Sequence, residues 1–123
     1  MRMLIGVAMA ALILSPVTAV AADQTWTGKL VDTKCYSMNK KNVGNDHMTP
    51  KGKMANCASA CAQMGIPAAL LVDGKTYPLA APAPALADYM AKDATVTGKM
   101  VGNLIVPTKV TVGGKDVNIS GMM

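Results

Sequence analysis

The chain has 123 residues, and its composition excludes several classes of protein. Twelve Lys and Arg residues against seven Asp and Glu give a formal net charge of +5, but the only arginine is Arg2, close to the N-terminus. Nucleic-acid interfaces usually combine arginines with several aromatic rings, and this chain has one Trp, three Tyr and no Phe. We therefore predict no nucleic-acid partner and attribute the lysine excess to solubility.

The first 22 residues have the pattern of a secretory signal peptide. Arg2 gives a positive start, residues 3–14 are apolar and uncharged, and small residues at 19–22 provide a cleavage site. The apolar run is too short to span a bilayer comfortably. We expect a periplasmic or secreted domain at residues 23–123, with no stable membrane insertion after cleavage.

Strand patterns dominate the predicted domain. Residues 25–32 alternate and are rich in β-formers, and residues 68–72 and 75–79 flank an Asp-Gly turn that is typical of a hairpin. Further strands are predicted at 94–101, 104–112 and 117–120, and short helices at 55–64 and 85–91. A helix between the third and fourth strands matches the order of an OB fold. We predict a mainly β fold, a small OB-like barrel of five to six strands with one or two short helices.

Two glycines lie inside predicted strands, each in a Thr-Gly-Lys sequence. Gly28 belongs to the first strand and Gly98 to the strand at 94–101. A glycine within a strand often marks a bulge or the bend of a barrel. We therefore expect a bulge or a bend of the barrel at these two positions.

The Cys/His segment, defined as residues 33–64, contains all the cysteines and the only histidine. Its first part, 33–56, has no periodicity and is polar and turn-rich, and loops of this length in compact domains are usually functional or disordered. Its second part is the predicted helix, where Cys57 and Cys61 share one face at i and i+4. Together with Cys35 and His47 they give the spacing C-x11-H-x9-C-x3-C.

Thiolate and imidazole ligands together favour zinc or copper over calcium or magnesium. We predict a copper or zinc site formed by Cys35, His47, Cys57 and Cys61, although only the last two have the close spacing of common zinc modules. Met48 follows His47 and offers a thioether, a soft ligand that selects Cu(I). We predict that Asp32 is a turn residue and not a ligand. No catalytic residue is predicted, and a non-enzymatic role is favoured.

Two alternatives fit the same residues. In an oxidising compartment, a disulfide from Cys35 to Cys57 or Cys61 would stabilise a binding or interaction domain without metal, by roughly 3 kcal/mol. The odd cysteine count would then leave one thiol unpaired. A thiol-redox protein is the second alternative, but such proteins usually carry C-x-x-C, and His47 would need an orienting partner that its neighbour Asp46 is badly placed to provide.

Several short motifs resemble those of a group of small exported bacterial proteins. They are Trp26–Asp32, Cys35-Tyr36, Asp46-His47, the Cys57-x3-Cys61 helix, Gly65–Leu71 and Val96–Gly98. The resemblance covers nearly all of residues 23–123 and implies an OB-type barrel and export, with no established activity. The C-x3-C pair with a separate histidine also resembles the copper site of Sco-type chaperones, which implies copper chemistry but no Sco activity.

Overall fold

The computed structural model describes residues 23–120, and the predicted signal peptide lies outside them. The fold is mainly β, as predicted, with three short helices and a single 3-10 turn at Ala87–Tyr89 among the described residues. In chain order the elements are β1 (Gln24–Asp32), α1 (Thr33–Met38), β2 (His47–Thr49), β3 (Gly52–Met54), α2 (Cys57–Gln63), β4 (Ala68–Val72), β5 (Lys75–Pro78), α3 (Ala83–Leu86), β6 (Asp93–Val101), β7 (Leu104–Val112) and β8 (Lys115–Val117).

Six strands form one antiparallel sheet in the order β5-β4-β1-β6-β7-β8. The long strand β1 pairs with two other strands. Its residues 24–29 pair with β6, and its residues 29–32 pair with β4. Gly28 lies where the partner changes, and a Cβ there would collide with the Leu71 carbonyl. Gly98 lies at a bulge between β6 and β7, as its position inside a strand predicts. The two glycines therefore permit the close strand approaches that the curved sheet needs.

The sheet curls until its ends approach each other. Leu79, directly after β5, forms a parallel bridge with Ile105 of β7, and the Ala80 N–H donates to the Ile105 carbonyl at 2.9 Å. Aliphatic side chains fill the interior because the chain has no Phe, and the largest that are fully buried are Leu30, Leu70, Leu86, Val96, Ile105 and Val110. The result is the small barrel-like core that the strand count predicts.

The Cys/His segment contains more regular structure than its sequence predicts. Instead of an aperiodic loop, residues 33–56 include α1 and the two-stranded sheet of β2 and β3. These elements have three to six residues each, which is too short for a helical or alternating pattern to appear. They add one helix and two strands to the elements predicted from sequence.

The helices are short throughout the described chain. The predicted helix at 55–64 is confirmed as α2, whereas the predicted helix at 85–91 begins earlier, at Ala83, and ends in the 3-10 turn. Pro84 explains the early start, because proline is tolerated in the first turn of a helix. Between residues 23 and 120, no helix is long and apolar enough to cross a membrane.

Candidate metal centre

The fold brings the four predicted cysteine and histidine ligands into one buried region. Cys35 lies on α1 just after β1, His47 begins β2, and Cys57 and Cys61 lie on α2. All four side chains are buried, and the three cysteines form a hydrophobic cluster of their own, separate from the barrel core. The four residues are therefore close in space although they span 27 residues of sequence.

Helix α2 links the barrel core to this region through two different faces. Ala58 and Ala62 are buried in the barrel core, whereas Cys57 and Cys61 belong to the cysteine cluster. Both pairs have i, i+4 spacing, so each forms a stripe along the helix. The alanines anchor the helix and thereby fix the direction of the two thiols.

The potential metal ligands fall into two groups that share Cys35. One ligand atom each from Cys35, His47 and Cys57 lie within 4.8 Å of one another, and the same holds for Asp32, Cys35 and Cys61. We call these five residues the Cys/His/Asp cluster. Met48, the remaining predicted ligand, lies on β2 and is 58% exposed.

His47 is held in the orientation of a metal ligand. Its Nε2 lies 2.8 Å from the Gly44 carbonyl, and because a carbonyl only accepts, Nε2 must donate its proton there. Nδ1 is then the ring nitrogen that remains for another contact, and it is buried without a hydrogen-bond partner among residues 23–120. Histidines that bind metals typically donate their second ring N–H to a carbonyl or carboxylate in this way.

Asp32 is a member of the cluster that the sequence did not identify as a ligand. Its Oδ1 accepts the Lys34 N–H at 2.9 Å and caps α1, which is the local backbone role predicted for it. Its Oδ2, however, is buried without a hydrogen-bond partner, and the residue is only 1% exposed. Its position directly after a buried strand and three residues before Cys35 is the sequence signal that could have indicated a second role.

The three cysteines are free thiols. The Sγ atoms of Cys35 and Cys57 are 3.8 Å apart, well beyond the roughly 2.05 Å of a disulfide bond. Two thiolates that bind one tetrahedral zinc ion at about 2.3 Å are separated by about 3.8 Å, so this spacing suits a shared ion. The disulfide alternative correctly pairs Cys35 with a nearby cysteine, but the two sulfurs are not bonded in this structure.

The environment of the thiols disfavours their charged form in the absence of a metal. The pKa of the Cys35 thiol is raised from its ordinary 9.0 to about 12. Burial is the largest cause of this rise, and the neighbouring Cys57 and Asp32 contribute smaller parts of it. Burial also raises the pKa of Cys61, with Asp32 as the next cause. Reactive redox cysteines have lowered pKa values, so these two thiols do not have the character of a thiol-redox site.

Asparagine side chains fix the geometry around the cluster. The Nδ2 of the buried Asn42 donates to the carbonyls of Cys35 and Met48 at 3.2 and 3.3 Å, and its Oδ1 accepts the Met48 N–H at 3.0 Å. These bonds tie α1 to β2 and so hold Cys35 next to His47. Nothing in the sequence distinguishes Asn42 from the other polar residues of the segment.

A second set of polar contacts holds the start of α2. Asn45 Oδ1 accepts the N–H and the hydroxyl of Ser59, at 2.9 and 3.1 Å. Asp46 Oδ1 accepts the Asn56 N–H at 2.9 Å, just before the helix begins. Asp46 is therefore engaged with the backbone, in agreement with the expectation that it does not orient His47 as a catalytic base.

The cluster as a whole offers three sulfurs, one imidazole nitrogen and one carboxylate oxygen in a buried site. Such a donor set is suited to binding a metal ion, and no disulfide competes for the sulfurs in this structure. No protein-family model, curated protein or solved structure matches this chain.

Proposed function

We propose that this chain is an exported, periplasmic or secreted, metal-binding domain that holds copper or zinc with Cys35, His47 and Cys57. The observation that carries the proposal is the buried Nδ1 of His47, which has no partner although Nε2 is fixed by Gly44. Burying an unpartnered polar atom costs free energy. A metal ion bound between this nitrogen and the two thiols would remove that cost.

The chemistry of the three ligands supports a soft or borderline metal. Thiolate and imidazole bind zinc and copper well, whereas calcium and magnesium prefer oxygen ligands. We leave Met48 out of the proposed ligand set, because it follows His47 along a strand and successive strand residues point to opposite faces. Its thioether is exposed while His47 is buried.

Export is supported by sequence arguments alone. They are the signal-like pattern of residues 1–22 and the resemblance to small exported bacterial proteins. In an oxidising compartment, a bound metal would also protect neighbouring thiols from oxidation, since metal-bound sulfurs are not free to form a disulfide. We propose a role in binding or carrying the ion rather than in catalysis.

A disulfide-stabilised interaction domain is the second candidate. The observation in its favour is the 3.8 Å separation of the Cys35 and Cys57 sulfurs, since a small movement would let them bond. Cys61 would then remain as the single thiol. This candidate leaves the unpartnered atoms of His47 and Asp32 unexplained.

Metal content and free thiols measured on the same sample separate the two candidates. The full chain is expressed in a bacterial host that exports it, and the product is purified without chelator or reductant. We expect at least one copper or zinc per chain by elemental analysis, and three free thiols after chelation. No metal together with one free thiol would overturn the proposal and support the disulfide domain.

Two substitutions on α2 provide a matched comparison. Cys57→Ser removes a proposed ligand, so the purified variant should contain clearly less metal than the wild type. Gln63→Ala changes an exposed residue on the same helix and should keep the wild-type metal content. Equal metal contents in the two variants would place the ion elsewhere.

A further inference from the structure

We propose that Asp32, Cys35 and Cys61 form a second zinc position beside the first, and that the two ions share the thiolate of Cys35. This inference rests on the proposed function and deepens it, because it names the metal and the number of ions. If the site holds one ion, Cys61 would be its fourth ligand beside Cys35, His47 and Cys57. If the site holds two ions, Cys61 binds the second ion instead.

The grouping of ligand atoms favours two positions. Cys61 does not join Cys35, His47 and Cys57 in one set with all atoms within 4.8 Å; it joins Cys35 and Asp32. Ligands of one tetrahedral zinc lie about 3.3–3.8 Å apart, given bond lengths of about 2.0–2.3 Å. The five donors therefore divide into two sets of three, and Cys35 belongs to both.

Asp32 supplies the independent sign of a second ligand position. Its Oδ1 is occupied by the Lys34 N–H, which fixes the carboxyl group, while its buried Oδ2 has no partner. The described residues thus contain two buried side-chain atoms without partners, Asp32 Oδ2 and His47 Nδ1, and the two residues belong to different sets. One ion in each position would satisfy both atoms.

Charge balance also favours two ions. Three thiolates and one carboxylate carry four negative charges, and the buried polar or charged residues between 23 and 120 are Asp32, Asn42 and His47, with no lysine among them. A buried charge is costly unless it is paired. If all four groups are charged, one divalent ion would leave two negative charges in the site, whereas two divalent ions neutralise all four.

The ligand types point to zinc for the second position. Cysteine sulfur and aspartate oxygen are both established zinc ligands. Cu(I) selects soft sulfur ligands and gains little from a carboxylate. The donor set of Asp32, Cys35 and Cys61 therefore distinguishes between the two metals that the first position would accept.

Native mass spectrometry of the protein that is purified after expression of the full chain tests the proposal. The protein is stripped of metal under reducing, oxygen-free conditions and titrated with Zn(II). We expect the wild type to bind two zinc ions and Asp32→Asn to bind one. Asparagine keeps the carbonyl oxygen that caps α1, so the backbone contact survives. Asp73→Asn, at an exposed turn position, is the matched control and should bind two ions.

The outcomes separate this inference from the proposed function. Saturation of the wild type at one zinc, or two zinc ions bound to Asp32→Asn with unchanged affinity, would overturn the shared-thiolate site while leaving a single-ion domain. No zinc bound to the wild type would overturn both. If Asp32→Asn does not fold, Cys61→Ser decides the question, since it should also bind one zinc ion, whereas Cys35→Ser should lose both positions.

Discussion

At the scale of single residues, unpartnered polar atoms carry more functional information than the cysteine count. The sequence shows three thiols and one imidazole, a set that favours a metal site but is also compatible with a disulfide and, less well, with a redox pair. The structure adds the donated proton of His47 Nε2, the free Nδ1, and the second oxygen of Asp32. These details depend on hydrogen bonds to Gly44 and Lys34, which no residue pattern encodes.

The raised thiol pKa values predict how the metal-free protein responds to pH. Above pH 9 the thiol of Cys35 ionises in the unfolded chain, but in the folded chain it keeps its proton up to about pH 12. The folded state therefore binds more protons than the unfolded state between pH 9 and pH 12, and its stability falls as pH rises through this range. Below pH 9 the stabilisation from the raised pKa of Cys35 is fully present. Thermal unfolding of the reduced, metal-free protein should show a melting temperature that falls more steeply in the wild type than in Cys35→Ala.

Zinc loading provides the control for this pH dependence. A metal-bound thiol has already lost its proton. The melting temperature of the zinc-loaded wild type should therefore lack the additional fall with rising pH that the metal-free wild type shows. Identical slopes for metal-free wild type and Cys35→Ala would contradict the buried, protonated state of this thiol.

At the scale of elements, the sequence predicted those with a repeating pattern and missed those without one. The alternation of residues 25–32 and the Asp-Gly turn between β4 and β5 predicted their strands correctly, and both Asp73 and Gly74 have the positive φ that this turn requires. Helix α1 and the β2–β3 pair have no such signal, because they depend on the cap from Asp32 and on the side-chain contacts of Asn42. The sequence predicted α2, which carries Cys57 and Cys61, but it did not predict α1 or β2, which position Cys35 and His47.

Asn42 is the residue whose loss should separate α1 from β2. Asn42→Ala removes three hydrogen bonds made by a buried side chain, which should cost about 1–3 kcal/mol of unfolding free energy. Because Cys35 and His47 lose their fixed spacing, zinc affinity should fall by about 10–100-fold, as for other residues that orient metal ligands. Urea unfolding and competition with a zinc chelator measure the two effects.

Asn118→Ala is the matched control for this change. Asn118 is exposed near the end of the described chain and contacts only Ser120 through its side chain. Its substitution should leave both stability and zinc affinity near wild-type values. A stable Asn42→Ala variant with wild-type affinity would show that the asparagine does not position the ligands.

At the scale of the whole molecule, a barrel-like sheet supports a separate cluster of potential metal ligands. The barrel core is built from aliphatic side chains, and the cysteines form a second cluster outside it. Strand β1 and helix α2 belong to both, since β1 ends at Asp32 and α2 buries alanines on one side and cysteines on the other. The fold class followed from the strand pattern, whereas the division of five ligands into two groups depends on how these elements meet.

X-ray absorption spectroscopy at the zinc edge tests the central claim, that Cys35, His47 and Cys57 bind an ion, most directly. The reduced protein loaded with one equivalent of zinc should show sulfur neighbours at about 2.3 Å together with nitrogen or oxygen neighbours at about 2.0–2.1 Å. The sulfur contribution should decrease in Cys57→Ser and remain unchanged in Gln63→Ala. A shell of nitrogen and oxygen atoms alone in the wild-type protein would contradict the account.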